Sequence, residues 1–291
     1  MKNLILFLSA FSLFACEKTI DFDLPTEKAQ LAVSSQIIDG DSIYATVSIS
    51  SAALSGNPSF SDKARILLFE NDVLVDSLTL SPGGVGIIGS NVPVYTSSYS
   101  CTPGRKYTIK VSQANFETVE GSCIMPETPS VSNGEYISAN YTIKGSISDP
   151  SGLGDIYKIQ LKRGQFKEHE SFFIKDLTIE NYQGYSEFFE DETEGTFATR
   201  AYIRDELFDG SIRDFELNYS EWNGANLGTD SLFLKISALS TDQYEFEKDL
   251  DISEYAEAGP FSEPVPISSN MSNQKGNFGA SNSIYLALEK K

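Results

Sequence analysis

The chain has 291 residues, with 22 Lys and Arg against 41 Asp and Glu, a formal charge of −19. That balance repels phosphate backbones and anionic lipid heads, so it argues against nucleic acid as a partner and against membrane attachment by charge. The single histidine, His169, lies between Glu168 and Glu170, the setting of a solvated side chain rather than a proton-transfer base, and the histidine-dependent hydrolases lose their case with it.

Residues 1–15 read as a signal peptide: Lys2 gives a basic start, and the apolar run from Leu4 to Ala15 is too short to span a bilayer. Leu13-Phe14-Ala15-Cys16 resembles the lipobox of bacterial lipoproteins, with Phe14 bulkier than that motif usually carries. The resemblance implies diacylglycerol on the Cys16 thiol, cleavage just before it and attachment through two or three acyl chains, which hold stably where one does not. The other reading is an ordinary secretory signal with an incidental cysteine. Cleavage removes Lys2, leaving 21 basic residues against 41 acidic ones. Residues 16–28 read as a tether.

Beyond the tether the pattern is short alternating runs rich in Val, Ile, Tyr and Thr, broken by turn residues, which predicts an all-β protein. Strands are expected at 30–38, 42–50, 64–70, 73–80, 93–100, 106–112 and 117–124, with hairpin turns at Asn71-Asp72 and Pro82-Gly83-Gly84. Seven strands in this span make an immunoglobulin-like β-sandwich domain over 29–126. Cys101 and Cys123 are the cysteines left after Cys16, and an oxidising compartment makes a disulfide between them the default, worth roughly 3 kcal/mol. The alternative is two separate buried thiols.

Met125-Pro126-Glu127-Thr128-Pro129 marks a boundary, because two prolines bracket a stretch that joins neither a ladder nor a helix. A second immunoglobulin-like β-sandwich is expected over 127–291, enlarged by insertions and one short helix. Its strands are read at 130–137, 140–148, 155–162, 168–174, 195–203, 211–219 and 231–239, with 282–288 closing the fold. Glu187 to Glu194 reads as a solvated acidic loop. Ser240-Thr241-Asp242-Gln243 fits a capping box, and Tyr244, Phe246 and Leu250 offer an apolar contact face beyond it.

Chemistry is sparse along this chain. There is no Gly-x-Ser-x-Gly elbow, no His-Glu-x-x-His and no Cys-x-x-Cys. Gly84-Val85-Gly86-Ile87-Ile88-Gly89 spells the dinucleotide fingerprint, but Pro93 and a β-prone run follow where a helix is required, so it reads as a hairpin loop. Asp149-Pro150-Ser151-Gly152-Leu153-Gly154-Asp155 offers two carboxylates and turn carbonyls to calcium, which prefers six to eight oxygens. It is read here as a turn between strands. No catalytic residue, metal site or cofactor is expected, and a hydrolase would need an unmarked carboxylate pair.

Several segments carry a resemblance. Asp149-Pro150-Ser151-Gly152 leading into Ile156-Tyr157, Asp205-Glu206-Leu207-Phe208-Asp209-Gly210, and Ile236-Ser237 running to Tyr244 match the spacing of one family. More specific are Pro260-Phe261-Ser262-Glu263-Pro264-Val265, then Ser269-Asn270 and Gly276-Asn277-Phe278-Gly279-Ala280. Together with Cys16-Glu17-Lys18 and Ile20-Asp21-Phe22, these resemble the Bacteroidota lipoproteins called domain of unknown function 4249. Departures occur at Asp155-Ile156-Tyr157, where the family often has asparagine before an aromatic pair, and at Gln274-Lys275, where it often has a second glycine.

The resemblance implies an accessory or binding lipoprotein at the outer membrane, on its cell-surface or periplasmic face, beside a TonB-dependent receptor in nutrient capture. The rival is a structural or adhesive surface lipoprotein without a small-molecule ligand. A partner surface is expected as an exposed aromatic patch at Phe261 and Phe278. Asp41-Ser42-Ile43, Asp76-Ser77-Leu78 and Asp230-Ser231-Leu232 resemble a short O-glycosylation motif of these bacteria, and equally fit three strand starts.

Overall fold

The computed structural model describes residues 28–40, 42–50, 59–81, 92–164, 169–183, 196–219, 230–256 and 265–291. Cys16, Phe261, Pro82-Gly83-Gly84, the Gly84–Gly89 run and the acidic segment from Glu187 to Glu194 lie outside these residues.

The first unit begins with β1 (Leu31–Ile38) and β2 (Ile43–Ile49), an antiparallel pair in which Val33 faces Val47. Along β1 buried residues alternate with more exposed ones, as a strand covered on one face requires. After the two-residue β3 (Ser59–Phe60), β4 (Arg65–Glu70) and β5 (Val73–Leu80) form a hairpin. Asn71 and Asp72 at its tip both have positive φ, 45° and 67°, the backbone of the tight turn expected there. Then come β6 (Tyr95–Ser97), β7 (Lys106–Ser112) and β8 (Val119–Ile124), and one core unites Val33, Val47, Ile66, Leu68, Ile109 and Val111 across them.

In the second unit a six-stranded sheet has the order β14-β13-β16-β10-β9-β19. Its members are β9 (Ser130–Ile137), β10 (Thr142–Ser148), β13 (Phe172–Ile174), β14 (Thr196–Ala198), β16 (Ile212–Tyr219) and β19 (Glu289–Lys290). It packs against β11 (Ile156–Arg163), β12 (His169–Glu170), β15 (Ala201–Arg204), β17 (Leu232–Leu239) and β18 (Gly276–Ala287), with Ile143, Ile159, Phe172, Leu217, Leu234 and Ile236 between the layers. The all-β sandwich architecture expected from the alternating runs is therefore the one formed, and its helix is α1 (Thr241–Ala256).

One strand joins the two units. Residues Gly276 to Ser281 of β18 pair in parallel with β1, while Ser281 to Ala287 pair antiparallel with β17. The larger sheet thus runs unbroken in the order β12-β11-β17-β18-β1-β2-β6-β5-β4-β7-β8. The linker at 126–129 divides the chain, but the sheet does not divide there. The expected closing strand starts six residues earlier than residue 282, because Gly276-Asn277-Phe278-Gly279-Ala280-Ser281 has small and polar residues where the alternation signal would be.

Two expectations are corrected here. Phe278 is no surface residue: it is 0% exposed, in the core with Leu31 and Val33. Its backbone N–H donates to Asn270 Oδ1 at 2.9 Å, and Asn270 Nδ2 donates to the carbonyls of Phe278 and Ser122 at 2.7 and 2.9 Å. The most specific family segment therefore knits β18 to β8. The Cys101–Cys123 disulfide is also absent, since both cysteines are buried free thiols. Tyr107 stands opposite Cys123 in the β7–β8 register, and its hydroxyl donates to Glu70 Oε2 at 3.0 Å and accepts the Thr102 N–H at 2.7 Å. Burial pushes the Cys101 thiol up to about 12, so the thiolate that disulfide formation needs is suppressed. Treatment with dithiothreitol is expected to leave the melting temperature unchanged; a drop on reduction would mean that a bond forms after all.

Candidate functional site

Two loops meet at one end of the second unit. The first, 149–155, joins β10 to β11, and the second follows β15 through a 3-10 turn at Asp205–Leu207 into β16. The antiparallel register Ile156 to Arg204 brings them together, because Asp155 precedes one strand end and Asp205 follows the other. Carboxylate oxygens of Asp149, Asp205 and Asp209 lie within 4.8 Å of one another, with Asp149 and Asp205 buried.

Backbone N–H groups hold these carboxylates. Gly154 and Asp155 donate to Asp205 Oδ2 at 2.8 and 3.1 Å, Gly152 to Asp209 Oδ1 at 2.6 Å, and Gly210 to Asp149 Oδ2 at 3.0 Å. The Tyr157 hydroxyl donates to Asp149 Oδ1 at 2.6 Å. Gly152 and Gly154 reach this arrangement with φ of 130° and 119°, a backbone that side-chain-bearing residues rarely adopt. Asp205 Oδ2 accepts two of these bonds and Asp209 Oδ1 and the two Asp149 oxygens one each, so the set clamps two loops while lone pairs on the other carboxylate oxygens still offer donors to a hard divalent cation.

Each loop stands out in the sequence by itself, the first as a turn between strands. What no linear pattern displayed was that Asp149 and Asp155 meet Asp205 and Asp209. Burial and then the charges of Asp149, Asp205 and Asp209 push the Asp155 carboxyl up from 3.8 to about 6. The sign follows: a carboxyl raised in the folded state favours its neutral form there, so its stabilisation is present below pH 3.8 and lost as pH rises through about 6. Asp155→Asn is expected to remove that loss. Its melting temperature should exceed wild type at pH 7 and converge with it near pH 4; a constant offset at both would refute the assignment.

A second concentration of polar chemistry lies under α1, on the outer face of the sheet. The Ser240 hydroxyl accepts from Gln243 N–H at 3.3 Å, forming half of the expected capping box, but the Gln243 side chain turns to Asn277 and Glu247 instead of back to Ser240. The stripe facing the sheet is Gln243, Glu247 and Asp251 at i, i+4 and i+8, joined by Tyr244, with Gln243, Tyr244 and Asp251 buried and Glu247 partly so. Of the expected apolar face, Leu250 is exposed, so the helix is seated mainly through polar groups.

Glu247 accepts Lys158 Nζ at 2.7 and 2.8 Å, Gln243 Nε2 at 2.8 Å and the Tyr202 hydroxyl at 3.1 Å. Burial alone would push this carboxyl up, but Lys158 and these hydrogen bonds outweigh it and hold it below its ordinary value. Arg200 grips Asp251, which is 0% exposed, with two guanidinium nitrogens. Tyr244 donates to Glu180 at 2.6 Å, and the rings of Tyr182, Tyr202 and Tyr244 sit 5.4 to 6.4 Å apart. Spacing at four-residue intervals was the available signal, missed because the stripe is charged.

His169 lies on the two-residue edge strand β12, its backbone opposite Lys162. A cleft of about 360 Å³ on the outer face of β4, β7 and β8 is lined by Phe69, Lys106, Lys110, Glu120 and Asn270, with Lys110 paired to Glu120 at 3.0 Å.

The profile of the family described as Domain of unknown function (DUF4249) matches residues 17–283. The chain belongs to the DUF4249 family. In this DUF4249 protein the two aspartate loops form one clamp, and the Asn270 to Ala280 segment fastens the units. No curated protein matches the chain.

Proposed function

We propose that this DUF4249 protein is a lipid-anchored accessory or binding lipoprotein of the outer membrane, held by Cys16 and acting with a TonB-dependent receptor in nutrient capture rather than as an enzyme. The observation that carries this reading is the junction at the N-terminus: the family match begins at Glu17, the residue directly after the lipobox cysteine. In this reading cleavage before Cys16 leaves lipid, tether and family fold in that order.

Cys16→Ser tests the anchor. The variant is expected to leave the membrane fraction and lose incorporated palmitate; membrane retention without acyl label would sink the anchor. Co-purification from outer membranes tests the partner.

A further inference from the structure

The outer face of β11, β17 and β18 carries a three-by-three grid of side chains fixed by strand register. Its rows are Lys158, Ser237 and Ser283; Gln160, Lys235 and Tyr285; and Lys162, Phe233 and Ala287. Alternation sends Ile159, Leu161, Leu234 and Ile236 into the core, so these nine project the other way. Lys235 is the centre of the grid.

Lys158 is spoken for by Glu247 at the edge of α1, and the Ser237 and Ser283 hydroxyls bond each other at 2.8 Å. Lys162 and Lys235 have no acidic partner among the described residues; their ammonium groups stand 5.6 and 5.8 Å from the ring centre of Tyr285, which is 54% exposed. By contrast, Lys106 and Lys110 around the cleft on the first unit have carboxylates at 3.9 and 3.0 Å. An acidic chain thus gathers around one half-exposed aromatic ring two cations that no carboxylate among the described residues neutralises.

Burial, then the charges of Lys158 and Lys162 on β11, hold the Lys235 amine down to about 8, against the opposing pull of Glu247 on α1. An arriving anion would relieve that penalty.

The occupant follows from shape and charge. Small-molecule sites are concave, whereas this is an open sheet face with an aromatic residue and flanking charges, the make-up of a protein contact. An extended polyanion such as a membrane surface would meet the field of a chain of charge −19, while a short acidic stretch needs only local attraction inside the screening length. We propose that this face docks an acidic segment of a partner protein, its carboxylates pairing with Lys162 and Lys235 and an apolar group covering Tyr285. The proposal goes beyond the receptor reading and does not depend on the lipid anchor.

Carbodiimide treatment of intact cells making the full chain joins an amine to a carboxylate only where the two touch. Mass spectrometry is expected to map amides from Lys162 and Lys235 to Asp or Glu of one partner chain. The total yield of this chain cross-linked to that partner, through any lysine, should fall about tenfold in a Lys162→Gln/Lys235→Gln variant and persist in Lys110→Gln. The double variant should melt no lower than wild type, since it removes like-charge repulsion without breaking an ion pair. Amides only to this chain's own carboxylates, an undiminished yield of the cross-linked complex in the double variant, or no adduct would overturn the surface. A linked partner that is not a TonB-dependent receptor would sustain the surface and sink the receptor reading. A co-purifying receptor with both lysines unlinked would do the reverse.

Discussion

Gly276→Ala is expected to destabilise the protein by about 3 kcal/mol or more, from strain and overpacking together. Gly276 opens β18 opposite Val33, and a Cβ there would sit 1.8 Å from the Val33 carbonyl oxygen and 2.6 Å from its carbon. Those atoms belong to the ladder that joins the units, so they cannot yield without releasing it. Its φ of +103° adds strain for any residue with a side chain. Gly40→Ala is the control: φ is +71°, but nothing lies within 4 Å of the added carbon, so it should cost only about 1–2 kcal/mol. Urea denaturation distinguishes the two, and equal losses would mean that β18 does not approach β1 as described.

The second large effect concerns the seat of α1. Glu247→Gln keeps the shape and removes the charge, leaving Lys158, whose side chain is 12% exposed, without a counter-ion at a cost of about 3 kcal/mol. Replacing both partners, Lys158→Met with Glu247→Leu, is expected to recover most of that loss, because no buried charge is stranded. The pH dependence has a definite sign. A carboxyl held below its ordinary 4.5 in the folded state contributes stability above that value and loses it as pH falls through the folded value. Wild type should therefore weaken more steeply than Glu247→Gln on acidification below pH 4.5, opposite to the Asp155 effect at higher pH. A double variant no better than the single one would show that the lost stability comes from hydrogen bonds to Tyr202 and Gln243 rather than from the stranded charge.

Strands were legible wherever one face is covered, because Leu31, Val33 and Ile37, or Ile143 and Ile147, repeat at the two-residue period of a pleated sheet. The Asn71-Asp72 turn was legible for a similar local reason, since short polar side chains tolerate positive φ. The first half of β18 was not: Gly276 and Gly279 are there so that the Val33 backbone and the Gln243 side chain can come close, a constraint imposed by residues more than 30 positions away. Phe278 misled for the same reason. An aromatic amid glycines and polar residues looks exposed until a distant strand covers it.

The candidate site divides similarly. Each aspartate loop stood out alone, but their meeting depends on the β11–β15 register. The helix stripe was hidden by chemistry, since Gln243, Glu247 and Asp251 are types that ordinarily face water and turn to the sheet here only because Asn277, Lys158 and Arg200 wait beneath them. The cationic grid needed two strand registers at once, one of them to a strand from the far C-terminus.

The most direct test of the functional reading is purification of the tagged full-length lipoprotein from outer membranes in mild detergent, with identification and quantitation of what accompanies it. A TonB-dependent receptor in stoichiometric amount is the predicted result. Recovery of the lipoprotein alone, under conditions in which known membrane complexes survive, would contradict the accessory role and leave the adhesive or structural reading in its place.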